Sequence, residues 1–150
     1  MLDDLKSVKA FLKTAFDAQK RLDADKALLD ALRDRAEGAN GVQYDKLPVS
    51  GGKDDGPALE RSALAIVDLE QELERDKVKW VEAVERVRRV VNTVEDSRLR
   101  EILERRYIRG QKWETIAVDT GYSWQHTHKL HGRALKVVKE KIECDPLIAV

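Results

Sequence analysis

Seven side chains within thirteen residues, Trp124, Gln125, His126, His128, Lys129, Arg133 and Lys136, have the chemistry of base-edge and phosphate recognition. A glutamine amide such as Gln125 can bond an adenine edge. An ammonium such as Lys129 suits a guanine edge or a phosphate, and the Arg133 guanidinium suits a phosphate beside the groove. Trp124 offers a flat apolar face for a thymine methyl or a sugar, with a protein surface as the competing partner. Exposed helix surfaces often carry such residues, so their meaning depends on what positions them.

Other chemistries find less support. His126, His128 and His131 invite a metal, but 128 and 131 share one helix face while 126 points elsewhere, and no carboxylate completes the set. No Ser/His/Asp arrangement, paired carboxylates or glycine-rich phosphate loop is present. Gly52-Lys53 is followed by Asp54 where a phosphate loop needs Ser or Thr. The expectation is a chain with no enzymatic activity, no metal and no cofactor.

The elements that would position the seven residues are legible over Trp113–Lys141. Trp113, Ile116 and Ala117 have the spacing of a short inward-packing helix. Gly121 stands where a turn needs positive φ, Tyr122 fills the space under it, and Ser123 is a good N-cap for a second helix. On that helix Thr127, Leu130, Ala134, Leu135 and Val138 fall on the inner side, leaving the seven outward. This is the pattern of a helix-turn-helix, whose second helix enters a DNA major groove. Lys112 is a poor cap for the first helix. Gly132, inside the second, costs about 1 kcal/mol relative to alanine and could admit another backbone closely. A preceding helix begins at the N-cap Asp96, carries Leu99, Ile102, Leu103 and Tyr107 on one stripe, gathers Arg105, Arg106 and Arg109 at its last turn, and ends at Gly110.

Upstream, two long helices are predicted. In residues 1–37, Leu5, Val8, Leu12, Ala15 or Phe16, Leu22, Leu29 and Ala36 recur at spacings of three and four or their sum. Gly38–Pro57 reads as a flexible linker, in which Tyr44 and Leu47-Pro48 dock locally. In residues 58–94 an apolar residue returns every seventh position at Leu59, Ile66, Leu73, Trp80, Val87 and Val94. Ala63, Val84 and Val91 fill an interleaved position that Glu70 and Lys77 occupy mid-helix. That period argues for coiled-coil packing, most simply an antiparallel hairpin of the two helices. Its β-branched end (Val84, Val87, Val91, Val94) could pair between copies. The domain plan is helix 1–37, linker 38–57, helix 58–94, helix-turn-helix domain 96–143 and apolar tail 144–150. The fold class is all-α: a long antiparallel helical hairpin followed by a three-helix helix-turn-helix domain.

Charge follows the same division. The chain carries 28 basic and 28 acidic side chains, yet Ser97–Lys141 holds eleven Lys/Arg against five Asp/Glu, a net +6 that leaves −6 elsewhere. A basic segment of this kind is an electrostatic footprint for nucleic acid. The single cysteine, Cys144, excludes an internal disulfide and a cysteine-based zinc site. No apolar leader or long uncharged span is present, so a cytoplasmic protein without membrane contact is expected.

Ser97–Lys141 resembles the upstream-element-binding, C-terminal helix-turn-helix domain of bacterial sigma factors. Leu103, Arg106, Tyr107, Trp113-Glu114-Thr115-Ile116-Ala117, Gly121-Tyr122-Ser123 and Arg133-Ala134-Leu135 carry the likeness. The whole chain is similar to small sigma-like regulators of Gram-positive phages and prophages, with late transcriptional activators of the ArpU and RinA type as the nearest functional analogy. The resemblance implies a sequence-specific regulator of transcription that binds double-stranded DNA, with RNA polymerase as a further candidate partner. The hairpin would then serve homo-oligomerisation or polymerase contact. No segment resembles the sigma domain that melts promoter DNA. Sigma factors commonly carry charged residues where Trp124 and His128 stand, so their base preference does not transfer. Two alternatives stay open: a small terminase-like DNA-packaging subunit, and a helical adaptor that binds no DNA.

Overall fold

The computed structural model describes residues 4–41 and 56–150. Every regular element among them is helical: α1 (Leu5–Gly41), α2 (Gly56–Val91), α3 (Ser97–Leu103), α4 (Trp113–Thr120) and α5 (Trp124–Cys144), with a π-helical turn at Glu104–Ile108 and a 3-10 turn at Pro146–Ala149. The all-α class, the hairpin and the following helical domain are therefore as expected. The helix ends differ a little. α1 continues through Gly38 to Gly41, and α2 starts at Gly56 and stops at Val91. The linker residues 42–55, with Tyr44, Leu47-Pro48 and Gly52-Lys53, lie outside the described residues.

The compact units do not follow the hairpin and helix-turn-helix boundary. One comprises Met1–Lys20 with Lys79–Val150, and the other Arg21–Val78. In the first, Val8 and Leu12 of α1 and Val87, Val90 and Val91 of α2 share one core with Ile102, Leu103, Ile116, Leu130 and Val138. All ten are fully buried. Each such Val, Leu or Ile contributes ~1.5–3 kcal/mol, so the roots of both long helices belong to one helical domain with α3, α4 and α5. Arg106 reinforces the join. Its guanidinium lies 5.0 Å from the Phe16 ring of α1 and 4.9 Å from the Trp113 ring of α4, and it donates to the Gln111 carbonyl at 2.9 Å.

This sharing corrects one expectation. Val87, Val91 and Val94 are fully buried within their own chain, so they are not open to pairing between copies. Pairing would have to use other residues.

The second unit contains the remainder of the two long helices. Arg21 pairs with Asp76 and Arg33 with Glu70, so residue numbers fall along α2 as they rise along α1, as an antiparallel hairpin requires. The seam is shifted from the expected one. Leu73 and Val87 are buried on it, but Leu69, Asp76 and Ala83 are buried in place of the expected Ala63, Glu70, Lys77 and Val84, while Val90 and Val91 are both buried. Ala63 and Leu59 are exposed. Within this unit Leu69, Leu73 and Asp76 keep the four- and three-residue intervals of a coiled-coil seam. Asp76 concealed that register, because a charged residue stands where the repeat needs an apolar one.

Asp76 is 3% exposed and faces Asp25 of α1. Oxygens of Asp25, Glu72 and Asp76 lie within 4.8 Å of one another, while Arg21 reaches Glu72 at 3.6 Å and Asp76 at 3.5 Å. The hydrogen bond to Asp76, then burial and the charges of Asp76 and Glu72, hold the Asp25 carboxyl above its ordinary value, against a smaller opposing pull from Arg21. A raised carboxyl pKa stabilises the folded state at low pH, and that contribution is lost as pH rises through the raised value. Asp25→Asn, a permanent donor, should therefore make the Arg21–Val78 unit more protected from amide exchange near neutral pH. It should also remove the decline that wild type shows as pH rises from the ordinary carboxyl range through the raised Asp25 value. Equal decline in both proteins would contradict the raised Asp25 carboxyl.

Candidate nucleic-acid interface

The domain that carries the outward residues is assembled from local signals that agree. Asp96 caps α3 by accepting from the Arg98 N–H at 3.0 Å. At the π-helical turn the Arg109 N–H reaches the Glu104 carbonyl at 2.9 Å, and Gly110 follows with φ of 69°. α4 starts after Lys112, which makes no side-chain cap bond, and ends at Gly121 with φ of 73°. Ser123 then caps α5, accepting from the His126 N–H at 3.1 Å. The Thr127 hydroxyl donates back to the Ser123 carbonyl at 2.9 Å. Thr127, Leu130, Ala134, Leu135 and Val138 are all buried, as their spacing predicts.

A buried polar pair fixes the roll of α5. The Tyr107 hydroxyl lies 2.7 Å from Nε2 of His131. Burial pushes the phenol up to about 12. His131 is pushed down to about 4, first by burial and then by the charges of Lys9, His128 and Arg106. Both groups are neutral at physiological pH, which lets the phenol donate to an unprotonated Nε2. His131 is thus a core residue, held also edge-on to Trp113 at 4.6 Å.

The structure divides the seven sequence-predicted residues. Gln125, Lys129, Arg133 and Lys136 are exposed, and none of their side chains has a hydrogen bond, ion pair or ring contact with another described residue. Trp124 is 49% exposed and turns one side of its ring to the protein. His126 is exposed but rests edge-on to Tyr122 at 5.0 Å. His128 departs from expectation. It is half-buried between Trp113 at 4.9 Å and Trp124 at 4.5 Å, and its Nε2 is enclosed with no hydrogen-bond partner among the described residues. Position 128 lies one turn after Trp124 on the same face, and Trp113 closes over it from α4. His128 therefore braces Trp124 rather than presenting itself to solvent.

Cations elsewhere in the domain are largely committed. Arg98 pairs with Asp96, Arg105 with Glu101 and Asp119, Lys139 with Glu143 and Lys141 with Glu95, while Arg100 donates to the Val94 carbonyl. Two further exposed cations, Arg109 and Lys112, have no intramolecular partner among the described residues. Both lie just before α4, Lys112 at its N-cap position. The sequence shows their charge, but spacing alone assigned them to helix ends. The acidic trio Asp25, Glu72 and Asp76 is the grouping of potential metal-ligating atoms among the described residues, and Arg21 already supplies it with positive charge. No family model matches the chain, and neither a curated protein nor a solved structure matches it.

Proposed function

We propose that the chain binds double-stranded DNA through α5 and acts as a sequence-specific regulator of transcription of the phage or prophage type. The observation that carries the DNA reading is the outward row Gln125, Lys129, Arg133 and Lys136, which has no partner among the described residues while most neighbouring cations are paired. An unpaired basic row with an amide near its leading end, on the second helix of a helix-turn-helix, has the chemistry that phosphates and base edges require. Gln125, two residues after the N-cap Ser123, stands at the end of the helix that reads bases. Lys129, Arg133 and Lys136 follow where phosphates flank the groove.

The regulatory reading is supported by the sigma-like residues. Leu103, Tyr107 and Ile116 form the core, and Gly121-Tyr122-Ser123 forms the turn. RNA polymerase contact and self-association through the long helices are part of the same proposal. The test is selection from a random duplex pool. Enrichment of one sequence by wild type, abolished in a Gln125→Ala variant that still binds phosphate nonspecifically, supports sequence-specific reading. A pool that stays random after repeated rounds contradicts it.

A further inference from the structure

Gly132 is the ninth residue of the 21-residue helix α5, and nothing among the described residues calls for a glycine there. Gly110 and Gly121 have positive φ, at 69° and 73°; Gly132 does not. A Cβ at Gly110 would also meet Gln19 at 3.4 Å and Phe16 at 3.6 Å, whereas a Cβ at Gly132 would meet nothing within 4 Å. Apart from proline, glycine is the least favourable residue in a helix interior. The fold is therefore weakened at this position with no gain from its own packing.

A reason for the glycine lies on the outer face. The exposed residues three and four positions away are Lys129 and Lys136, and Arg133 adjoins. All three cations lack an intramolecular partner among the described residues. Lys129 and Lys136 stand about 10 Å apart along the helix axis, room for one sugar–phosphate strand to pass between them. A missing side chain between two such ammoniums leaves bare helix backbone where the strand would cross.

We infer that Gly132 is the point of closest approach of α5 to DNA, where a sugar–phosphate strand seats against the helix backbone between Lys129 and Lys136. This rests on the DNA-binding proposal above. Glycine at a position of close ligand approach is a recurrent use of its missing Cβ. The absent side chain then sets how deeply α5 enters the groove, and the flanking cations gain their reach from that depth.

The experiment compares full-length wild type, Gly132→Ala and Gly132→Leu by thermal melting and by anisotropy with a labelled random-sequence duplex. Both variants should melt higher than wild type, since each replaces glycine with a better helix former. Their Kd should rise in order of side-chain size, about threefold for alanine and about tenfold or more for leucine, because added atoms intrude on a close approach. Variants that melt higher and bind as tightly as wild type overturn the inference and leave the DNA reading intact. Variants that melt lower also overturn it, by revealing an internal role for the glycine. Failure of wild type itself to bind the duplex removes the DNA reading, and the inference with it.

Discussion

Changing Lys129 and Arg133 together to alanine should weaken duplex binding about a hundredfold, at ~1–3 kcal/mol for each DNA-binding side chain removed, while leaving the thermal midpoint almost unmoved. Neither side chain forms a hydrogen bond or ion pair with another described residue, so the fold does not depend on their polar ends. Exposed substitutions of this kind usually stay within about ±0.5 kcal/mol. Alanine also raises no objection within a helix. The double variant thus separates the surface from the scaffold, as a core variant such as Leu130→Ala cannot. Anisotropy titrations of both proteins at one low salt concentration, beside melting curves, provide the measurement. Equal affinities would show that DNA, if bound, lies elsewhere.

Acidification from about pH 6.5 to about pH 4 should cost the unit built from Met1–Lys20 and Lys79–Val150 about 3 kcal/mol through His131 alone. In the unfolded chain this imidazole titrates near its ordinary value of 6.5; in the folded chain it is held down to about 4. Above the unfolded value both states are neutral and the stability is fully present. As pH falls, the unfolded state takes up the proton first, so stability declines toward the folded value. A decline of this size is a large fraction of the ~5–15 kcal/mol that holds a typical domain. The physical event is a proton arriving on Nε2 beside Tyr107, in a core already faced by Lys9 and Arg106. His131→Gln keeps an acceptor for the phenol but does not titrate. The difference in stability between wild type and this variant should therefore change by about 3 kcal/mol across the window. A constant difference would mean that His131 is protonated in the folded state. The Asp25 site acts with the opposite sign in the other unit, so amide exchange resolved by unit keeps the two responses apart.

Much of this architecture was legible because local signals coincided. Asp96 and Ser123 as caps, Gly121 as a left-handed turn, and Leu99, Ile102, Leu103, Tyr107, Leu130 and Val138 as core all follow from residue type and spacing. What was not legible depends on residues meeting across the fold. Asp76 breaks the apolar repeat in sequence, yet it is buried because Asp25 and Arg21 receive it from α1. That exchange moved the α2 seam to Leu69, Asp76 and Ala83. His128 lies on the outer half of α5 by spacing, but Trp113 arrives from α4 and encloses it. Arg106 looked like one of three cations at a helix end; the rings of Phe16 and Trp113 on either side make it a tie between α1 and the helix-turn-helix. Periodicity locates a helix face, whereas only the crossing of two helices decides what covers it.

The most direct measurement of DNA binding by α5 is the dependence of duplex affinity on salt. The chain has no net charge, so strong salt dependence requires a local basic surface rather than a general attraction. Five exposed cations without a partner among the described residues, Arg109, Lys112, Lys129, Arg133 and Lys136, are available to phosphates. With ~0.9 counterion released per phosphate neutralised, log K against log salt should fall with a slope of about −3 to −5 between about 50 and about 200 mM. Each of Lys129→Ala and Lys136→Ala should make that slope shallower by about 1. A slope near zero, or no binding at about 50 mM salt, would contradict the assignment of α5 as a DNA-binding helix.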